Sequence, residues 1–342
     1  MENKERINRR KLLQGCLALG AVALCASPLI RRRTLRSSQP SRISRVAILK
    51  ADSYSNKLDE ILMVGLNLFQ LNVRGKSVLL KPNLVEYLPG KEVNTHPMLV
   101  GAAAECFRRL GAKSVVVCEG PGHQRDTELL LSETGLEDHL KARKVPFVDL
   151  NRNDLIKVPL KSNCTGLDHL WLPRTVLESD VIVSMPKIKT HHWAGVTLSM
   201  KNMFGIVPGL KYGWPKNLLH WKGIHESILD ICATVPIHLV IADGILCMEG
   251  NGPLHGETRK LGVIVIGDDA VGSDATIARL MSLRPEGIPH LQKAAGFLGN
   301  LEANRILQLG EPLEDLRQSF CVSRKIITLK NMDTRGESQV RS

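Results

Sequence analysis

Aromatic side chains make up only 4% of this 342-residue chain, a scarcity that argues against stacking platforms for single-stranded nucleic acid. No two of its eight cysteines form a C-x-x-C pair, which removes a zinc ribbon, a ferredoxin-type cluster run and a thioredoxin-like motif. No G-x-G-x-x-G opens a helix, so the dinucleotide fingerprint is missing. The chain has no internal repeat, and past residue 36 it has no Lys/Arg run. The formal charge of +12 looks like a nucleic-acid signal until it is divided. Residues 1–36 hold nine basic and two acidic side chains, hence +7, which leaves +5 on the other 306 residues. No nucleic-acid partner is therefore expected.

The chain does have an ordinary globular balance, 43% hydrophobic and 23% charged, on a length that buries a sizeable core. At its start Arg9-Arg10-Lys11 precedes an apolar stretch over 12–30. This arrangement resembles a twin-arginine signal, which implies the twin-arginine export machinery as a partner. The alternative is an uncleaved anchor, since the stretch approaches the roughly 20 residues that span a bilayer. Either reading puts the body in the periplasm, or on the cytoplasmic membrane facing the periplasm. The expected organisation is 1–30 signal or membrane anchor, 31–44 linker, 45–320 α/β domain and 321–342 polar tail.

Short β-type runs recur in the body at Val46–Leu49, Ser77–Leu80, Ser114–Cys118, Phe147–Leu150, 180–185, Ile237–Ala242 and Leu261–Ile266. Helical patterns over 57–72, 97–110, 126–142, 222–234, 270–282 and 287–296 separate most of them, with shorter strands around Val158 and Trp171. The alternation predicts an α/β fold, a mostly parallel sheet of β-α-β units with helices on both faces, in one or two lobes. Cys106, Cys118 and Cys232 lie in apolar contexts and read as small buried thiols.

Ligands of open α/β sheets bind beyond the carboxyl ends of the strands. Four such ends deliver Lys81-Pro-Asn83, Glu119-Gly120, Pro186-Lys187 and Asp243-Gly244. Lys187, Lys189 and His191 alternate, so an extended backbone turns them to one side and His192 to the other, as scaffold. Lysine is a compact charge suited to phosphate or carboxylate, and histidine titrates near neutrality. Lys201-Asn202 opens a short helix, and Gly250-Asn251-Gly252-Pro253 forms a loop in which backbone approaches a ligand closely. The expected catalytic residues are His191, Lys187 and Glu249. The expected ligand-binding residues are Lys81, Asn83, Glu119, Lys189, Lys201, Asn202, Gly250, Asn251, Gly252 and Asp274. Asp243, Glu249 and His255 supply the carboxylate and imidazole groups a divalent metal would need, without matching a metal-binding spacing.

Taken in order, Lys81-Pro-Asn83, Thr95-x-Pro97, Glu119-Gly120, Pro186-Lys-x-Lys-Thr-His191, Lys201-Asn202-x-x-Gly205, Asp243-Gly244, Met248-Glu-Gly-Asn-Gly-Pro253, Gly256 and Asp274 resemble the domain of unknown function 362 family. The resemblance spans about 45–310. Some members carry fused ferredoxin-type cluster domains, and their cysteine run is missing from this chain, so iron–sulfur binding does not carry over. The Glu-Gly-Asn-Gly-Pro loop is also similar to one in nickel-dependent lactate-racemase-type proteins. Two functions remain open: an exported enzyme acting on an anionic small molecule or holding a cofactor, and a non-catalytic periplasmic or membrane-anchored binding or maturation protein.

Overall fold

The computed structural model describes residues 42–323 together with Leu329. The apolar stretch over 12–30 and most of the polar tail lie outside the described residues. Among those described, no helix is long and apolar enough to cross a membrane.

Twelve strands follow in chain order: β1 Ser44–Lys50, β2 Ser77–Pro82, β3 Ser114–Glu119, β4 Phe147–Asp149, β5 Leu155–Pro159, β6 His169–Pro173, β7 Val181–Met185, β8 Lys187–His191, β9 Gly195–Thr197, β10 Leu239–Glu249, β11 Glu257–Gly267 and β12 Ile306–Gly310. The main sheet runs β12-β1-β11-β10-β7-β2-β3-β4, with β8 on β10 and β9 on β8. Along that path every pairing is parallel except the two made by β11. The fold is thus the expected mostly parallel α/β sheet. β5 and β6 form a separate antiparallel pair.

Alternation of side chains across a strand explains why helices cover both faces. Val78 and Leu80 of β2, Val115 and Val117 of β3 and Ile241 of β10 pack with the helices Leu58–Asn67 and Pro97–Arg109. Leu79, Cys118, Val240 and Ala242 point the other way, against Ile224–Thr234 and Ala270–Leu280. The helical pattern at 126–142 is two helices, Thr127–Glu133 and Leu136–Ala142.

Two elements differ from the sequence reading. Lys187–His191 is itself a strand, because β10 leaves β7 after Val240 and takes β8 as its new neighbour at Asp243. Asp243 is therefore mid-strand, and β10 runs on to Glu249 to form a long antiparallel hairpin with β11. The glycine-rich loop at 250–256 is the tip of that hairpin. The first residues of the expected polar tail pack against the body: Gly250 N–H donates to the Cys321 carbonyl at 2.8 Å, and Phe320, Cys321 and Val322 are buried.

Candidate functional site

The parallel strands β2 and β3 release their chains on the same side of the sheet, and β8 and the β10–β11 hairpin tip close over that side. Between them lies a cavity of about 520 Å³. Sites for small ligands generally fall between about 300 and 1,000 Å³.

A lysine–carboxylate pair forms the layer beneath the cavity. Lys81 Nζ donates to Glu119 Oε2 at 2.6 Å and to Asn202 Oδ1 at 3.0 Å. Asn202 returns a bond through Nδ2 to the Lys81 carbonyl at 2.9 Å. Gly205 has to be glycine here, since a Cβ would collide with Glu119 Oε1 and Lys81 Nζ. The short helix Ser199–Asn202 that presents Lys201 and Asn202 is capped from below by Asp274. The Asp274 carboxylate accepts the Ser199 and Met200 N–H groups at 2.8 and 3.0 Å. Burial raises Asp274 to about 7.

Three lysines reach the cavity wall without a carboxylate. Lys189, Lys201 and Lys216 form no ion pair among the described residues. Lys189 Nζ donates to the Val93 carbonyl at 2.7 Å, and Lys201 lies over the Phe204 ring at 4.5 Å. Lys216 Nζ donates to the carbonyls of Gly120 and Phe204, both at 2.9 Å. Burial disfavours the charged form and the lysines repel one another. Lys201 is lowered to about 8 by burial and then by Lys81. Lys216 is lowered to about 7, mainly by burial, with Glu119 opposing the fall. Lys189 falls well below its usual value, through burial and then Lys201.

His191 Nδ1 accepts the N–H groups of Trp193 and Ala194 at 3.0 and 3.1 Å. Burial, then Lys201, holds its imidazole well below the usual titration range. A neutral ring that accepts at Nδ1 carries its proton on Nε2. His191 is thus a hydrogen-bond donor in this state. The side-chain oxygen of Asn83 and the hydroxyl of Thr197 both lie on the wall, are more than nine-tenths buried, and have no hydrogen-bond partner among the described residues. A buried polar group left unpaired costs about 1–3 kcal/mol, so such groups call for an explanation.

The structure brings Asn83, Glu119, Lys189, His191, Lys201, Asn202, Asn251 and His255 to this one cavity. It leaves others outside. Lys187, expected as catalytic, is sealed in a separate network with Asp243 at 2.9 Å, Glu92 at 3.1 Å and Tyr54 Oη at 3.0 Å. Burial pulls the Lys187 ammonium down, but Asp243 and Glu92 outweigh it and raise its pKa. Asp243 also accepts from Tyr54 Oη at 2.7 Å and from the His96 N–H at 2.9 Å. Glu249 is turned away, accepting the Cys321 N–H at 2.9 Å with Arg259 4.0 Å off. Asp243, Glu249 and His255, the expected metal set, do not converge, and among the described residues no group of three or more His, Cys, Asp or Glu side chains is placed to hold a metal. Gly250 and Gly252 act through backbone: their carbonyls accept from Thr190 Oγ1 at 3.0 Å and from the His192 N–H at 2.9 Å. A Cβ at Gly252 would strike the Thr190 carbonyl, which explains that glycine. Asp274 stays beneath the floor as a cap.

Other wall residues were not singled out from the sequence. Lys216 follows Trp214-Pro215 in a loop with no motif, His123 lies past the Glu119-Gly120 turn, and Thr197 is in the short strand β9. His192, expected as scaffold, also reaches the wall. The clustering of histidine and tryptophan between 191 and 255 was the one available signal, and it covers His192, Trp193 and His220.

A family model described as "Domain of unknown function (DUF362)" matches residues 78–279, from inside β2 to the end of the helix Ala270–Leu280. A thylakoid-associated protein of Synechocystis sp. is 29% identical over 228 residues, covering 63% of this chain and 66% of that protein. The chain therefore spans just under two thirds of that relative's length. The lactate racemase apoprotein of Thermoanaerobacterium thermosaccharolyticum superposes with a TM-score of 0.44 at 12% identity, over 72% of this chain and 58% of that one. A Thermotoga maritima protein gives a TM-score of 0.35 at 13% identity, over 63% and 56%.

Proposed function

The chain belongs to the domain of unknown function 362 family, and from that premise we propose that it is an exported enzyme acting on an anionic small molecule held in the cavity. The observation that carries this reading is the set of three wall lysines without carboxylates, Lys189 and Lys216 buried and Lys201 partly so, beside the Asn83 oxygen and Thr197 hydroxyl that lack partners among the described residues. An anion supplies the missing counter-charge, and a hydroxyl or N–H on the same molecule gives Asn83 a donor. Lys201 carries the resident charge at neutral pH. Lys189 and Lys216 take up protons as the anion arrives, because an opposite charge raises their pKa. His191 donates from Nε2. Asn202 and Glu119 hold the floor through Lys81.

The second reading is a non-catalytic binding or cofactor-maturation protein. It is supported by His191, whose Nδ1 is already committed to two backbone N–H groups and leaves no free base on that ring. The leader suggests the periplasm, or the periplasmic face of the membrane, under both readings.

Titration calorimetry with inorganic phosphate and with a dicarboxylate, in buffers of differing ionisation enthalpy, tests the anion site. We expect proton uptake on binding and an affinity that falls as pH rises through 7 to 8, where Lys216 and Lys201 lose their protons. Binding with no proton uptake removes the lysines from the account. Turnover of a bound anion, governed by a group titrating in that window, separates the enzyme from the binding protein.

A further inference from the structure

Lys216 is held differently from the other wall lysines. Its two hydrogen bonds go to backbone carbonyls from two different loops, Gly120 after β3 and Phe204 after the helix Ser199–Asn202. No carboxylate lies within ion-pair distance of it among the described residues, and its side chain is buried against the cavity. A buried ammonium lacking a counter-charge is expensive, so the neutral amine is favoured. A neutral primary amine has two N–H bonds and one lone pair. Both N–H bonds are spent on the two carbonyls, which leaves the lone pair as the only uncommitted direction on the nitrogen.

We propose that Lys216 is a nucleophile that forms an imine with an anionic aldehyde or ketone bound in the cavity. The proposal rests on the anion-site reading and names its substrate class. In the first step the Nζ lone pair forms a C–N bond while the carbonyl π bond opens onto oxygen. That oxygen takes a proton from nitrogen to give the carbinolamine. A second proton, from the ammonium of Lys201, lets the oxygen leave as water, and the nitrogen keeps one N–H as a protonated imine. Amine, carbonyl compound and one proton thus become iminium and water, with no oxidant or reductant required. The remaining N–H keeps one of the two carbonyls satisfied. Lysines freed of charge by desolvation are activated in this way for carbonyl substrates. The fall of Lys216 to about 7 agrees with the geometry.

The test uses the full chain with two anionic aldehydes, glyoxylate and pyridoxal 5′-phosphate, and sodium cyanoborohydride to reduce any imine to a stable amine. Peptide mapping by mass spectrometry locates the adduct. We expect one adduct per chain, at Lys216, with the neighbouring Lys211 and Lys222 labelled at least tenfold less and inorganic phosphate suppressing the label. Lys216→Arg should abolish this adduct; a second variant, Lys216→Met, and a circular dichroism melt of each guard against a loss that comes from misfolding. If phosphate binds but Lys216 stays unlabelled, or the label follows surface exposure or lands on Lys201, the imine proposal falls and the anion site stands. If Lys216 is labelled but phosphate neither binds nor competes, the anion site falls and the nucleophile stands.

Discussion

Lys187 and Lys189 lie two residues apart on one short strand, both fully buried, yet the protein uses them in opposite ways. Lys187 meets Asp243 at 2.9 Å and Glu92 at 3.1 Å inside a closed network. Lys189 meets only a carbonyl among the described residues, at 2.7 Å, and faces an open cavity. The same contrast separates Lys81, paired with Glu119, from Lys201 and Lys216, which have no ion pair among the described residues. Buried charge is tolerated best when paired: carboxylates raise Lys187 outright and oppose the burial that lowers Lys81, and both pairs tie the sheet ends together, whereas the unpaired lysines are all lowered. Residue type and strand-end position do not separate scaffold from site here; the neighbouring carboxylate does.

Breaking the paired side gives the largest effect. Asp243→Ala leaves Lys187 buried beside a lost partner and removes an acceptor from Tyr54 and from the His96 N–H. Urea unfolding should show a loss of about 3–5 kcal/mol. Lys189→Met, two residues further along, should change stability by less than about 1.5 kcal/mol, as a swap to an apolar chain of similar volume. Equal losses in the two variants would erase the distinction drawn between them.

The unpaired side has its own signature in pH. With Lys216 lowered to about 7, an unfolded chain holds a proton between that value and 10.5 that the folded chain has released. Wild-type stability, measured against Lys216→Met, should therefore be flat below pH 7 and rise above it by about 1.4 kcal/mol per pH unit. A slope of the opposite sign between pH 7 and 9 would mean that Lys216 stays charged in the fold. Lys201→Gln should weaken phosphate binding by about tenfold, or about 1.4 kcal/mol, in a calorimetric titration. An unchanged affinity would take Lys201 out of the site.

Thr197→Val should have the smallest effect on the empty protein. Its hydroxyl is buried without a partner among the described residues, so an isosteric methyl should change stability by less than about 0.5 kcal/mol, or raise it slightly. Phosphate affinity should still fall measurably in this variant. A stability loss above 1 kcal/mol would point to a hidden partner for the hydroxyl.

Several parts of this molecule were legible in the chain. The runs at Ser77–Leu80 and Ser114–Cys118, each followed by a helical pattern, led directly to a parallel sheet whose ends carry Lys81 and Glu119. Eight of the expected wall residues reach the cavity because strand ends and glycine turns are local features. Asp243 was misplaced because the continuation of β10 past it depends on β8 arriving as a neighbour, which no local pattern records. Lys216 was passed over for a related reason: it gains meaning only from carbonyls supplied by two distant loops.

By itself the sequence determined the fold class and the end of the sheet where the polar groups gather, since periodicity and punctuation act over a few residues. Only the tertiary structure decided which lysines are paired and which face the cavity. Pairing depends on a carboxylate within about 4 Å and on the water removed around both groups, and the partners of Lys81 and Lys187 lie 38 and 56 residues away along the chain.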